Sequence, residues 1–246
     1  YVEGYIVDGG YAQQVYTDLD GNKKLLVAGV KIPAFSSVTL KLIKGEIAED
    51  CAFKKNGNIL ETPFAPVKFN DNMTIASFVD KSADRELCGE GYAFNSFIMA
   101  EDVPSLWDNW DVDADIEGKY KDVSKLVSSE VVSCGKVAHI IRSKYEISTK
   151  STVTQDMIFF ADSAEVRFDT VMDWNDDHRF LKAAFDTSVY EDFARQEVQF
   201  GYVKRPTTRN TSIEQAKFEV LNHKYTDLSE SRYGVAILND CKYGIS

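Results

Sequence analysis

The sequence predicts an all-β protein: a large antiparallel β-sandwich with a small β region at its N terminus. Three observations carry this. Apolar residues recur with a period of two, turn dipeptides separate short apolar runs, and helix signals are sparse. From Ala164 to Trp174, Val166, Phe168, Thr170 and Met172 alternate with Glu165, Arg167, Asp169 and Val171, the pattern of a strand with one buried face. Val198, Phe200 and Tyr202 alternate in the same way, as do Phe218 and Val220. Further β-rich runs are Lys136 to Ile147, Ser151 to Phe160 and Tyr233 to Leu238. Asp20-Gly21 and Asn56-Gly57 are dipeptides that tight hairpins favour. Thr211-x-x-Glu214 has the form of a capping box, but the alternation after it favours strand, and Ser124 to Val131 is too short for a helix.

Thr62-Pro63-Phe64-Ala65-Pro66 marks a boundary, so residues 1–62 are expected to form an N-terminal hairpin region and residues 63–246 the sandwich. Val30 to Ser36 is expected at the edge of a strand bundle or in a small β domain. The chain starts at Tyr1 without Met or a signal pattern and ends as abruptly, the expectation for a piece truncated at both ends.

Composition narrows the function. The 246 residues carry a net charge of −11, from 28 Lys+Arg against 39 Asp+Glu. Phosphate backbones and anionic bilayers need a basic face, so nucleic acid and membrane are excluded as partners, whereas a neutral sugar fits. No apolar run is long enough to span a bilayer. Cys51, Cys88, Cys134 and Cys241 lie far apart in sequence and are expected as buried free thiols in a reducing compartment. His139, His178 and His223 are equally scattered, so no metal site is expected within the chain. The run Asp108, Asp111, Asp113, Asp115 and Glu117 lacks the glycine and terminal glutamate of a calcium loop and is read as a solvated acidic loop. No nucleophile motif or phosphate-binding glycine loop is present, so no catalytic residue is assigned. Trp107, Trp110 and Trp174 suit a sugar platform, but core packing is the commoner use of tryptophan, and burial is expected for Trp107 or Trp110, for Trp174 and for Phe185.

One stretch carries more. Phe200-Gly201-Tyr202-Val203-Lys204-Arg205-Pro206-Thr207, Asn210-Thr211-Ser212 and Tyr233-Gly234-Val235-Ala236-Ile237-Leu238-Asn239-Asp240 resemble the C-terminal part of glycoside hydrolase family 38, the α-mannosidases, and most strongly its bacterial and cytosolic branch. Upstream, Glu101-Asp102-Val103-Pro104, Trp107-Asp108-Asn109-Trp110-Asp111-Val112 and Leu181-Lys182-Ala183-Ala184-Phe185 follow the family in the same order, so the resemblance covers Pro66 to the last residue. Thr208 and Ile213 depart from it, standing where the family usually has His and Trp, which puts sugar contacts at those two positions in doubt.

The resemblance implies a galactose-mutarotase-like supersandwich that supports and partly closes the sugar pocket of a catalytic domain absent from this chain. The parent enzyme it implies is a cytoplasmic, retaining exo-α-mannosidase acting on mannose-containing oligosaccharides, with zinc and a nucleophilic Asp in that domain. A homo-oligomer stays open. Asn95, Asp111, Arg205, Asn210, Asp227 and Glu230 are the candidates for the pocket rim. The alternative for these polar residues is an internal network in which Arg205 clamps Asp227 or Glu230. Two other functions are carried beside this one: a stand-alone carbohydrate-binding or interaction module, and a mutarotase-like epimerase using His223 with Glu219 or Glu230.

Overall fold

A computed structural model describes every residue except Glu49 and Asn109. The N-terminal strands are β1 (Tyr5–Val7), β2 (Ala12–Thr17), β3 (Lys23–Ala28) and β4 (Leu42–Lys44). They are followed by β5 (Lys54–Asn56), β6 (Ile59–Glu61), β7 (Pro66–Phe69), β8 (Ile75–Asp80), β9 (Arg85–Glu86) and β10 (Phe94–Glu101). A short 3-10 helix (Ala114–Gly118) precedes β11 (Lys121–Asp122), β12 (Lys125–Cys134), β13 (Ala138–Glu146), β14 (Thr152–Phe160), β15 (Val166–Asp173) and β16 (Arg179–Phe185). The chain ends with β17 (Phe193–Val198), β18 (Gly201–Pro206), helix α1 (Ser212–Gln215), β19 (Val220–Leu221), β20 (Tyr225–Ser229), β21 (Gly234–Leu238) and β22 (Gly244–Ile245). The all-β expectation holds. Among the described residues no helix is long and apolar enough to cross a membrane.

Two sheets make the main sandwich. The eight-stranded sheet runs β11-β10-β8-β7-β6-β5, with β16 on β10 and β9 on β8, and every pairing is antiparallel. The facing sheet is the meander β12-β13-β14-β15. Leu60, Val67, Phe69, Ile75, Phe78 and Phe94 from the first meet Ile141, Met157 and Phe159 from the second in one buried cluster. Burial of these large side chains is the main driving force for closing the sandwich. The other face of the meander is covered too: Ala138, Ile140 and Ile158 pack against Tyr16 and Leu26 of the β2–β3 hairpin. That explains why β13 begins with four consecutive buried residues, Ala138-His139-Ile140-Ile141, rather than an alternation. Gln14 splices the hairpin on, its Nε2 donating to Ser133 Oγ (2.7 Å) and Ala138 O (2.9 Å) while its Oε1 accepts from Ala138 N (2.8 Å).

The N-terminal expectations change. The expected division between residues 62 and 63 falls inside the larger sheet, because β6 pairs with β7 across it and Phe53 and Leu60 belong to the main core. Val30 to Ser36 forms no strand; Phe35 is fully exposed. Asn56-Gly57 does close the β5–β6 hairpin, with Gly57 at φ +59°, where a glycine carries no Cβ penalty.

Toward the C terminus, Thr211 and Glu214 form a complete capping box on α1, so local capping prevails over the strand expected there, and the strand is confined to Val220–Leu221. Phe200 lies outside the strands at φ 65°, in the turn between β17 and β18, and is fully exposed rather than alternating inward. Within Ser124 to Val131, the residues from Lys125 onward open a ten-residue strand.

Asn95 sits where the β10–β16 register skips, at φ 60°, a bulge that turns its side chain into the core. It is 1% exposed, and its Nδ2 donates to Gln155 Oε1 (2.7 Å) on the facing sheet. Asn95 is therefore no rim residue. Asn is one of the few residues with a side chain that tolerates this backbone region. Asn95→Ala is expected to cost about 2 kcal/mol, because it orphans a buried amide. Asn95→Gly keeps the backbone free of strain and isolates the amide contribution, and urea unfolding of both variants checks it.

Candidate functional site

The 102–113 loop leaves β10 at the end of the sandwich opposite the β8–β9 turn, since β8 and β10 are antiparallel and meet only at Ile75 and Phe94. Trp107 adopts φ 61°, and its carbonyl accepts from Trp110 N (2.8 Å) and Asp111 N (3.0 Å), which folds the loop outward. Leu106, Trp107 and Trp110 are 67%, 72% and 89% exposed. Core packing, expected of these tryptophans, does not occur. Their loop contains Asp102, Asp108, Asp111 and Asp113, and a strand cannot bury indoles while holding so many carboxylates in water. Trp174 is also exposed, at 37%, whereas Phe185 is half-buried against Phe94 and Phe168.

Neighbouring segments complete this end. Asp102 N donates to His178 O (2.9 Å), and His178 Nδ1 lies 3.6 Å from Asp108 Oδ2, so the loop that follows Trp174 packs on the first. Burial, reinforced by the nearby Asp108 charge, raises the Asp102 carboxyl above its ordinary value. Asp113 is lowered, chiefly by the Ser105 hydroxyl, which donates at 2.8 Å. An Arg209–Glu117 ion pair ties the segment before α1 to the 3-10 helix that follows this loop. Both Asp111 and Asn210 are exposed. This end therefore presents indoles, carboxylates and an amide, groups suited to stacking on and hydrogen bonding with another surface.

The remaining candidates sit elsewhere. Glu230 is held by Arg85 across two bonds of 2.8 and 2.7 Å and accepts from Tyr190 N (3.0 Å). That fork pulls the Glu230 carboxyl down to about 2. Asp227 pairs with Arg195 at 3.0 Å and accepts from the Ser229 hydroxyl. Arg205 clamps neither acid. Its Nη2 reaches Leu221 O at 3.4 Å, and its Nε is buried without a hydrogen-bond partner. The internal network exists, but Arg85 and Arg195 build it. The epimerase pair is not assembled: His223 lies tilted against Tyr243 with ring centroids 4.9 Å apart, Glu219 pairs with Lys182, and Glu230 is held by Arg85.

Because the folded Glu230 carboxyl is depressed, its contribution is present above the unfolded value near 4.3 and is lost as pH falls toward 2. Glu230→Gln is expected to lower Tm at pH 6 and to match the wild type at pH 2. A Tm series across that interval checks it.

The cysteine expectation is corrected. Cys51 and Cys134, 83 residues apart, are disulfide-bonded with their Cα atoms 5.5 Å apart, while Cys88 and Cys241 are free and Cys241 is exposed. Burial pushes the Cys88 thiol up to about 12. His139 lies beside the bonded pair, a cluster that no local spacing announces.

The antiparallel sheets and the aromatic, acidic end define an all-β sandwich domain. The chain belongs to the family described as glycosyl hydrolases family 38 C-terminal domain, which matches residues 60–246. It is 36% identical to human alpha-mannosidase 2C1 over 188 residues, covering 76% of this chain and 18% of that protein. It is 37% identical to alpha-mannosidase G of Dictyostelium discoideum over 205 residues, covering 79% and 19%. The crystal structure of an alpha-mannosidase from Enterococcus faecalis V583 superposes with a TM-score of 0.68 at 12% identity, covering 96% of this chain and 31% of that one. The chain thus spans less than a fifth of these two relatives.

Proposed function

We propose that this chain is the non-catalytic C-terminal sandwich of a retaining exo-α-mannosidase that hydrolyses terminal α-mannosides of oligosaccharides. Its task is to support the catalytic domain of the same polypeptide and to close part of the sugar pocket. The single observation that carries this is the joint exposure of Leu106, Trp107 and Trp110, apolar and aromatic side chains of the kind enriched where one protein surface meets another. Asp111 and Asn210, both exposed, are the pocket-rim residues retained in this reading; Asn95 is withdrawn because it is buried, and Asp227 and Glu230 are held in ion pairs by Arg195 and Arg85.

The zinc of the parent enzyme is assigned to the catalytic domain, where it would bind and polarise sugar hydroxyls. Among the described residues His178 faces a carboxylate and His223 a tyrosine ring, and neither belongs to a cluster of metal-ligating groups. The reading places the protein in the cytoplasm, where the Cys51–Cys134 bond would stand reduced.

The test compares this chain with the full-length polypeptide on an aryl α-mannoside. Turnover by the full-length protein alone is expected. Turnover by this chain by itself overturns the reading.

A further inference from the structure

A buried histidine normally donates through one ring nitrogen and accepts through the other, and a group that does neither forfeits most of its hydration without return. His139 is such a group. It is 3% exposed, and neither Nδ1 nor Nε2 has a hydrogen-bond partner. Phe53 backs the ring at 5.7 Å. A ring nitrogen of His139 and the sulfurs of Cys51 and Cys134 all lie within 4.8 Å of one another. Three parts of the fold converge to place them. Cys134 closes β12 and stands directly opposite His139 of β13, and Ala52 N donates to Gly135 O (3.1 Å), docking the segment with Cys51 over that turn.

A disulfide alone leaves the imidazole unexplained, because its sulfurs carry no proton to donate and accept only weakly. Two thiolates and an imidazole are instead a ligand set that zinc favours. We propose that, when the Cys51–Cys134 bond is reduced, Cys51, Cys134 and His139 together bind one Zn²⁺, with water completing the shell. Tetrahedral zinc separates its sulfur ligands by roughly 3.8 Å, so the sulfurs must part once the bond between them is reduced. Cys51 belongs to no strand and can supply that movement. Both cysteines are exposed, so the ion has a route in.

The chemistry balances with a dithiol as reductant. The dithiol gives up two electrons and two protons and closes to its own disulfide, leaving two protein thiols; Zn²⁺ then displaces the two thiol protons to solvent. The same three residues therefore hold either a covalent staple or a metal, according to redox state. This assignment stands independently of the mannosidase reading.

The experiment reduces the full chain with dithiothreitol, removes the reductant under anaerobic conditions and titrates Co²⁺, then Zn²⁺. One Co²⁺ per chain is expected, with a thiolate-to-cobalt charge-transfer band that one equivalent of Zn²⁺ abolishes. The oxidised chain is expected to show neither. Cys51→Ser, at an exposed position, should lose the stoichiometric band, and His139→Phe should bind Zn²⁺ at least tenfold more weakly while circular dichroism shows the sheet intact. If His139→Phe fails to fold, Cys51→Ser decides. A folded, reduced chain without the band at a large excess of Co²⁺ overturns the proposal, as does Cys51→Ser binding like the wild type. If the reduced chain unfolds, Zn²⁺ must restore the fold; failure to do so overturns it equally.

Discussion

Arg142→Ala is expected to destabilise the sandwich by about 3 kcal/mol, at the lower end of the range for breaking a buried ion pair. Arg142 and Asp156 stand directly opposite each other on β13 and β14. The guanidinium grips the carboxylate through Nε and Nη2, both at 2.7 Å, and Nη2 also donates to Thr17 O (2.9 Å) at the end of β2. The Asp156 side chain is only 2% exposed, so removing the arginine leaves a charge that water reaches poorly. The Arg142 side chain is 22% exposed, which lets some water in and sets the lower end of the range. At this chain length the loss corresponds to a fall in Tm of about 6–12 °C. Arg142→Lys keeps the charge but loses the fork and should fall between. Replacing both partners with apolar residues, Arg142→Met with Asp156→Leu, should recover most of the loss, because no unpaired charge remains. Thermal and urea unfolding of the four proteins measures this. An Arg142→Ala chain within about 0.5 kcal/mol of wild type, the ordinary scatter of surface substitutions, contradicts it.

The strands were legible wherever one face meets the core and the other meets water. Val166 and Phe168 of β15 pack on the core beside exposed Arg167, as the alternation expects, whereas Thr170 and Met172, expected on the same face, are exposed. The pattern fails where the physics is no longer two-sided. β13 is covered on both faces, so its first half loses the alternation, and the β12 strand was lost because its residues are mostly exposed. Phe200 sits in a two-residue turn, where hydrophobicity says nothing about direction.

The candidate site was less legible, for a different reason. Partner choice among charged residues is set by the third dimension. Arg85 lies 145 residues before Glu230, so sequence proximity pointed to Arg205 instead. Cys51 and Cys134 meet because β12 runs back beside the segment that enters the larger sheet, a juxtaposition that no spacing rule encodes. The tryptophans were misplaced because average burial outweighed the local warning: four aspartates in the same short loop cannot accompany the indoles inward.

That loop supports the other large effect. Substituting Trp107→Ala and Trp110→Ala together is expected to leave the stability of this chain within about 0.5 kcal/mol, since both indoles project into water. In the full-length polypeptide the same substitutions are expected to lower kcat/KM by at least tenfold. Tryptophans buried at the centre of an interface each typically contribute 2 kcal/mol or more, and about 1.4 kcal/mol lost from the transition state is already a factor of ten. On the function proposed above, docking would position the groups that this sandwich lends to the pocket, so the defect should appear in kcat/KM together with faster proteolysis between the domains. Phenylalanine at both positions retains an apolar ring and should restore part of the activity. A stand-alone binding module predicts another pattern: full activity of the double variant, with loss only of sugar binding by the isolated chain. Equal loss of stability in the isolated chain and in the full-length protein would show instead that the indoles support the fold of their own loop. The combination that identifies a docking surface is an isolated sandwich of unchanged Tm attached to an enzyme that has lost its activity.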